Sequence, residues 1–251
     1  MSGILAQPSL TFSTAKRGPK ISNLHYGIFY EEINHGGDGG LYAELIRNRS
    51  FEDNATNADC WWGLGDMGFS LVNTGLLNAQ QGFALKVNIN EYNAGIRNEG
   101  FWGMNIVKDE VYTLTFWAKT DGTYSGKMWA ELQNDGFENL GRTEFDIALT
   151  SEWQKYTVKI TATASNTKGW LAIKGLEKMV IYLDVVSLMP PTYKNRENGC
   201  RKDLAEMLET LTPRFVRFPG GCYVEGTWQN DKTNRFEWKK TIASVSSLVQ
   251  I

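Results

Sequence analysis

The chain has 251 residues, with 26 Lys and Arg against 28 Asp and Glu, for a net charge of −2. That balance, with no basic block, excludes an electrostatic nucleic-acid binder, which neutralises phosphates with clustered cations. Its 42% hydrophobic and 12% aromatic content excludes wholesale disorder, and no apolar run approaches the ~20 residues that span a bilayer, so neither nucleic acid nor membrane is an expected partner.

The first ten residues, Met1 to Leu10, lack the apolar core of a signal peptide. The protein is therefore expected to be intracellular, or the gene to start elsewhere. Two glycosylation sequons, Asn48-Arg-Ser50 and Asn54-Ala-Thr56, lean the other way, towards the secretory route. Next comes a short buried strand around Ile28 and Phe29 that runs into adjacent carboxylates, Glu31 and Glu32. A glycine-rich turn follows at Gly36, Gly37, Asp38, Gly39 and Gly40. Leu41, Leu45 and Ile46 then recur at roughly helical spacing, which predicts a short apolar helix. Carboxylates at the carboxyl end of a buried strand are where barrel enzymes place their chemistry.

From about Asn54 to Pro190 the chain changes character. Tyr112, Leu114 and Phe116 alternate with Thr113, Thr115 and Trp117. Tyr156, Val158 and Ile160 alternate with polar residues, and 127–132 and 179–186 have strand composition. Turn signals at Asp121-Gly122, Asn134-Asp-Gly136 and Asn166-Thr-Lys-Gly169 separate these runs. Short, nearly evenly spaced strands with turns between them predict an antiparallel sandwich.

Beyond it, Leu204, Met207, Leu208 and Leu211 fall at i, i+3, i+4 and i+7, one face of a helix that Pro213 stops. Phe215-Val-Arg-Phe218 reads as a strand broken by Pro219-Gly220-Gly221. The order strand, sandwich, helix, strand is a βα unit with a module inserted in its first connection, and loops tolerate such insertions at modest entropic cost. A complete (β/α)₈ barrel takes about 250 residues, and the residues left outside the sandwich are fewer than half of that.

Three cysteines, Cys60, Cys200 and Cys222, show neither metal-ligand nor redox-motif spacing. A Cys60–Cys200 bridge and two free buried thiols are both compatible with their positions. His25 and His35, ten residues apart with no third ligand, make a poor metal site. His35 either lines a pocket or makes a structural hydrogen bond.

The stretch from Gly27 to Glu44 (GIFYEEINHGGDGGLYAE) resembles the start of the barrel in family 51 glycoside hydrolases, the α-L-arabinofuranosidases. Arg214-Phe-Val-Arg-Phe-Pro-Gly-Gly-Cys-Tyr-Val-Glu-Gly226 is similar to the second strand and loop of that family. Pro191 to Gly199 and Asp203 to Leu208 resemble the linker and helix. The inserted block, with Gly100-Phe-Trp-Gly-Met-Asn-Ile106, resembles a CenC-like carbohydrate-binding module, as in the plant-type enzymes. The resemblance implies a truncated amino-terminal part of such an enzyme: α/β plus all-β, a fragment of a (β/α)₈ barrel interrupted by an antiparallel β-sandwich of jelly-roll type. Residues 1–53 would hold the first barrel element, 54–190 the module, 191–242 the second barrel element, and 243–251 an aberrant tail where the family continues with Gly-Pro.

A retaining glycosidase needs two carboxyl groups about 5 Å apart, one acid/base and one nucleophile. Glu31 and Glu32 cannot be that pair, because adjacent strand residues point to opposite faces. The resemblance implies that Glu31 hydrogen-bonds furanose hydroxyls; the alternative is a buried Glu paired with a barrel Arg such as Arg217. Likewise it puts Cys222 on the sugar, the alternative being a small buried residue after a tight turn. No base accompanies Cys222, which argues against a nucleophilic thiol. The family's acid/base and nucleophile Glu have no counterpart in the chain.

Among the module's aromatics, Phe116, Trp129 and Trp153 are expected in the core. Trp61, Trp62 and Trp102, in glycine-containing loop-like segments, are the candidates for stacking on sugar. The expected activity is release of terminal arabinofuranose from arabinan or arabinoxylan, with no cofactor or metal and an extracellular location. Alternatives are a carbohydrate-binding fragment without catalysis and a non-functional truncated product.

Overall fold

Alternation of apolar and polar side chains sets the architecture of the computed structural model, which describes residues 9–221. In chain order the strands are β1 (Ile28–Phe29), β2 (Trp61–Leu64), β3 (Met67–Val72), β4 (Ala84–Ile89), β5 (Gly95–Asn98), β6 (Met104–Ile106) and β7 (Val111–Lys119). They continue as β8 (Tyr124–Gln133), β9 (Asn139–Leu149), β10 (Gln154–Thr161), β11 (Asn166–Gly175), β12 (Met179–Met189) and β13 (Val216–Arg217). Helix α1 (Lys202–Thr210) lies between the last two strands.

Two antiparallel sheets face each other. One has the order β10-β7-β12-β4-β3; the other runs β2-β5-β11-β8-β9, with β6 also on β11. The inner faces fill one core, because successive strand residues point to opposite sides. Tyr112, Leu114, Phe116 and Ala118 enter it from β7, Met128, Ala130 and Leu132 from β8, and Leu171 and Ile173 from β11. Tyr112 also brings a buried hydroxyl, which accepts from the Val107 N–H at 2.9 Å and donates to the Asn105 carbonyl at 3.2 Å. Burial pushes its pKa up to about 12.

Outside the sandwich, β1 and β13 form a parallel two-stranded pair, with Ile28 opposite Val216 and Phe29 opposite Arg217. Helix α1 forms where the i, i+3, i+4 pattern places it, yet no residue on it is buried among the described residues, and Met207 is 66% exposed.

The short helix expected over Leu41–Ile46 is absent. Leu41 and Tyr42 donate to the Gly36 and Gly37 carbonyls in a kinked turn, with Gly39 at φ 81°. The chain then runs extended, because its backbone groups have partners elsewhere. Tyr42 pairs with Cys200, Ala43 N–H donates to the Gly199 carbonyl, and Leu45 N–H donates to the Leu188 carbonyl. Buried Glu44 accepts from the Ile46 and Leu188 amides, both at 2.9 Å. Further along, the Val186 N–H donates to the Arg49 carbonyl where β12 changes register between Asp184 and Ser187. Apolar spacing alone does not make a helix when its donors, such as those of Ala43 and Leu45, are taken across the chain.

Candidate functional sites

At the end of β1 the two adjacent glutamates diverge. The Glu31 side chain packs on Gly220, in the turn that follows β13. Glu32 instead reaches the glycine turn, where the Gly37 and Asp38 backbones hydrogen-bond its carboxylate. Burial raises the Glu32 pKa, partly offset by the Gly37 hydrogen bond. The guanidinium of Arg217 lies over the Phe29 ring, 5.0 Å from its centre. Cys222 lies outside the described residues.

His35 sits between the glycine turn and the sandwich, edge-on to Phe101 and Trp102, each 5.3 Å between ring centres. A cleft of about 350 Å³ opens nearby, lined by residues including Glu44, Phe101, Arg201 and Asp203. Within it Arg201 pairs with Asp203 at 2.6 Å and Glu44 with Arg49 at 3.8 Å. Among the described residues no group of three or more His, Cys, Asp or Glu is placed to hold a metal. Cys60 and Cys200 are both free thiols.

The richer surface is the outer face of the six-stranded sheet. Register puts Trp62 beside Arg97, Arg97 beside Ala172, Ala172 beside Glu131, and Glu131 beside Arg142. These five residues form one row across five strands, about 19 Å long at the usual strand spacing. Neighbouring rows add Lys174, Trp129 and Glu144, then Trp170 and Gln133.

Charges on this face are mostly compensated. Lys174 meets Glu131 at 2.6 Å, and Asn139 donates to the same carboxylate at 2.7 Å. Burial pushes the Glu131 pKa up, but the Lys174 and Asn139 hydrogen bonds and the Lys174 charge outweigh it and leave the group below the usual range. Lys127 meets Glu144 at 2.5 Å.

The aromatics gather at the two ends of the rows. Tyr92 is edge-on to Trp129 at 5.6 Å, with the Arg142 guanidinium 3.9 Å from the Trp129 ring centre. At the other end Trp62 is edge-on to Trp170 at 5.1 Å. There the Arg97 guanidinium lies between Trp170 and Phe137, 4.0 Å and 3.9 Å from their ring centres. Burial works against the Arg97 charge and lowers its pKa, while Glu99 works in its favour.

The expected aromatic roles therefore need correcting. Trp61 is in the core, 4% exposed, with its indole N–H on the Asn48 carbonyl at 3.0 Å. Trp62, its neighbour on β2, faces outward and is 40% exposed. Trp102 is 62% exposed, but beside His35 and not on the sheet face. Phe116 is core; Trp129 and Trp153 are only half-buried, on outward faces. Sequence reasoning missed Arg97, Trp170, Tyr92 and Arg142. The alternation of Trp170, Ala172 and Lys174 with Leu171 and Ile173 is the signal that would have found this face.

The sequons also differ. Asn48 is fully buried and its amide donates to the Asp59 carbonyl at 2.8 Å, whereas Asn54 is half-buried, in a surface turn. No helix among the described residues is long and apolar enough to cross a membrane.

Comparison with known proteins adds to this geometry. Residues 43–178 match the model of a carbohydrate binding domain, and residues 207–250 match that of the alpha-L-arabinofuranosidase 1 domain. The extracellular exo-alpha-L-arabinofuranosidase of Streptomyces chartreusis is 34% identical over 254 residues, covering 94% of this chain and 30% of that protein. Alpha-L-arabinofuranosidase 1 of Arabidopsis thaliana is 34% identical over 241 residues, covering 90% of this chain and 35% of that protein. The structure of an arabinose-bound GH51 α-L-arabinofuranosidase superposes with a TM-score of 0.79 at 30% identity, covering 88% of this chain and 38% of the other. The chain thus spans about a third of the length of the curated relatives it matches.

Proposed function

The chain belongs, through residues 43–178, to the carbohydrate binding domain family, and on that footing we propose that it is the polysaccharide-binding part of an α-L-arabinofuranosidase. The observation that carries this reading is the row from Trp62 to Arg142, with Trp170 beside Trp62 at one end and Trp129 beside Arg142 at the other. Aromatic rings offer sugars a flat apolar surface, and exposed polar groups such as Arg142 and Glu144 offer hydrogen bonds that fix orientation. A row of about 19 Å is long enough for several sugar rings.

The complete enzyme, on this reading, releases terminal arabinofuranose from arabinan or arabinoxylan outside the cell. Similarity to named arabinofuranosidases along most of the chain supports it. Residues up to about 53 and from about 191 to 242 are the first two βα elements of its barrel, with the sandwich between them. The parallel pairing of β1 with β13 supports that division. Glu31 would orient the furanose beside the turn after β13, with Cys222 next along the chain.

Hydrolysis needs two carboxyl groups on one sugar. Glu31 and Glu32 diverge and do not form that pair; on this reading the chain binds without cleaving. Two assays on the full chain test this. Retention on insoluble arabinoxylan is expected, and a folded chain that passes through unretained rules out the binding half. Release of aryl alcohol from an aryl arabinofuranoside would rule out the non-catalytic half.

A further inference from the structure

Two arginines of the outer face, Arg97 and Arg142, have no ion pair among the described residues, and Arg97 is the one with a nitrogen shielded from solvent. Arg97 has no ion pair and no hydrogen bond among the described residues, and its Nη1 is shielded from solvent without a partner. Glu99, two residues on, adds a favourable field without forming an ion pair. The Arg97 guanidinium carbon is within 4.0 Å of both the Trp170 and the Phe137 ring centres, and a guanidinium held over rings keeps its donors in its own plane. That plane is the direction in which a carboxylate is held by two parallel N–H···O bonds.

A neutral sugar leaves such a group unmatched, because hydroxyls do not balance its charge. Lys174 and Lys127 already have Glu131 and Glu144, and Arg142 lies at the far end of the row over Trp129. Phe137 belongs to the turn between β8 and β9, where it sits at φ 67° and is exposed, so it is positioned at the rim and not in the core.

We propose that Arg97, flanked by Trp170 and Phe137 and next to Trp62 in the row, binds the carboxylate of a hexuronic acid residue carried by the polysaccharide. The inference rests on the outer face being the carbohydrate surface and adds the ligand's charge to that reading. Both a glucuronate side group on a xylan and a galacturonate of a pectic polymer offer this chemistry.

The test compares the full chain's affinity for a glucuronate-bearing arabinoxylan and a galacturonate-bearing arabinan, each beside the same polymer with its carboxyl groups reduced to alcohols. At least one acidic polymer should bind about tenfold more tightly than its reduced partner, the size expected of one charge-assisted hydrogen-bonded contact. Whichever acidic polymer shows the preference identifies the source. Arg97→Met should remove the preference, costing the acidic polymer about tenfold more affinity than it costs the reduced one, and Arg97→Lys should restore only part of it. Equal affinity for acidic and reduced polymers overturns the inference and leaves the binding function standing. Equal losses for both polymers in Arg97→Met also overturn it, assigning Arg97 to structure alone. Binding to neither polymer overturns both. The reduced polymers on the unaltered chain keep the test decisive even if Arg97→Met does not fold.

Discussion

Gly220 lies so close to Glu31 that a Cβ built on it would sit 2.6 Å from Glu31 Cγ and 2.7 Å from Glu31 Cβ. Its φ of 124° is also one that side-chain-bearing residues rarely adopt. The turn after β13 and the carboxylate after β1 therefore fix each other's position. Gly220→Ala is expected to cost roughly 1–3 kcal/mol locally, from strain and contact together. Amide exchange at Ile28 and Tyr30, which bond the Phe215 and Arg217 carbonyls, reads it. Unchanged exchange at both would show that Glu31 and the turn are independent.

Trp62→Ala removes an exposed ring from the end of the row without opening the core. Retention on arabinoxylan should weaken by about tenfold, in keeping with roughly 1.5 kcal/mol for an aromatic contact. Trp61→Ala on the same strand should instead lower stability by about 3–5 kcal/mol, since it leaves a core cavity. Equal effects of the two on binding at equal stability would contradict the assignment of faces.

Tyr112→Phe leaves the Val107 N–H and the Asn105 carbonyl without the hydroxyl they share. A loss of roughly 1–3 kcal/mol is expected, seen as a lower urea midpoint with an unchanged slope. A neutral result would mean that water or another group takes the hydroxyl's place.

Glu131 has a folded-state pKa below its ordinary value of about 4.3. A carboxyl depressed in this way contributes stability that is present above the unfolded value and lost as pH falls through the folded one. Melting temperature should therefore drop more steeply on acidification below about pH 4.3 in the unaltered chain than in Glu131→Gln. At neutral pH the variant should be less stable by about 3–5 kcal/mol, because Lys174 is left buried and unpaired. Pairing Glu131→Leu with Lys174→Met should recover most of that loss. Parallel acid profiles for Glu131→Gln and the unaltered chain would sink the idea.

Much of the sandwich was legible because alternation is a local signal. Tyr112, Leu114 and Phe116 announce both the strand and its buried side, and Leu204, Met207, Leu208 and Leu211 announce α1. What was not legible depends on partners far along the chain. Leu41, Leu45 and Ile46 have helical spacing, but Gly199 and Leu188 take their neighbours' backbone groups. Trp61 and Trp62 were read together because Gly63 and Gly65 suggested a loop, yet as neighbours on a strand they face opposite ways. The row through Arg97 needs the register of five strands, and no single segment contains it. Family resemblance covered β1 and β13, where two-residue strands carry little pattern of their own.

Ile28 meets Val216 only after the chain has travelled out through the whole sandwich and back. Such a contact brings together residues far apart in sequence, and its closure is entropically costly while the intervening chain is disordered. The bridge between Tyr42 and Cys200 shortens that loop to about thirty residues once the sandwich has formed. The sandwich is thus also an assembly template: by folding, it brings β1 and β13 to each other.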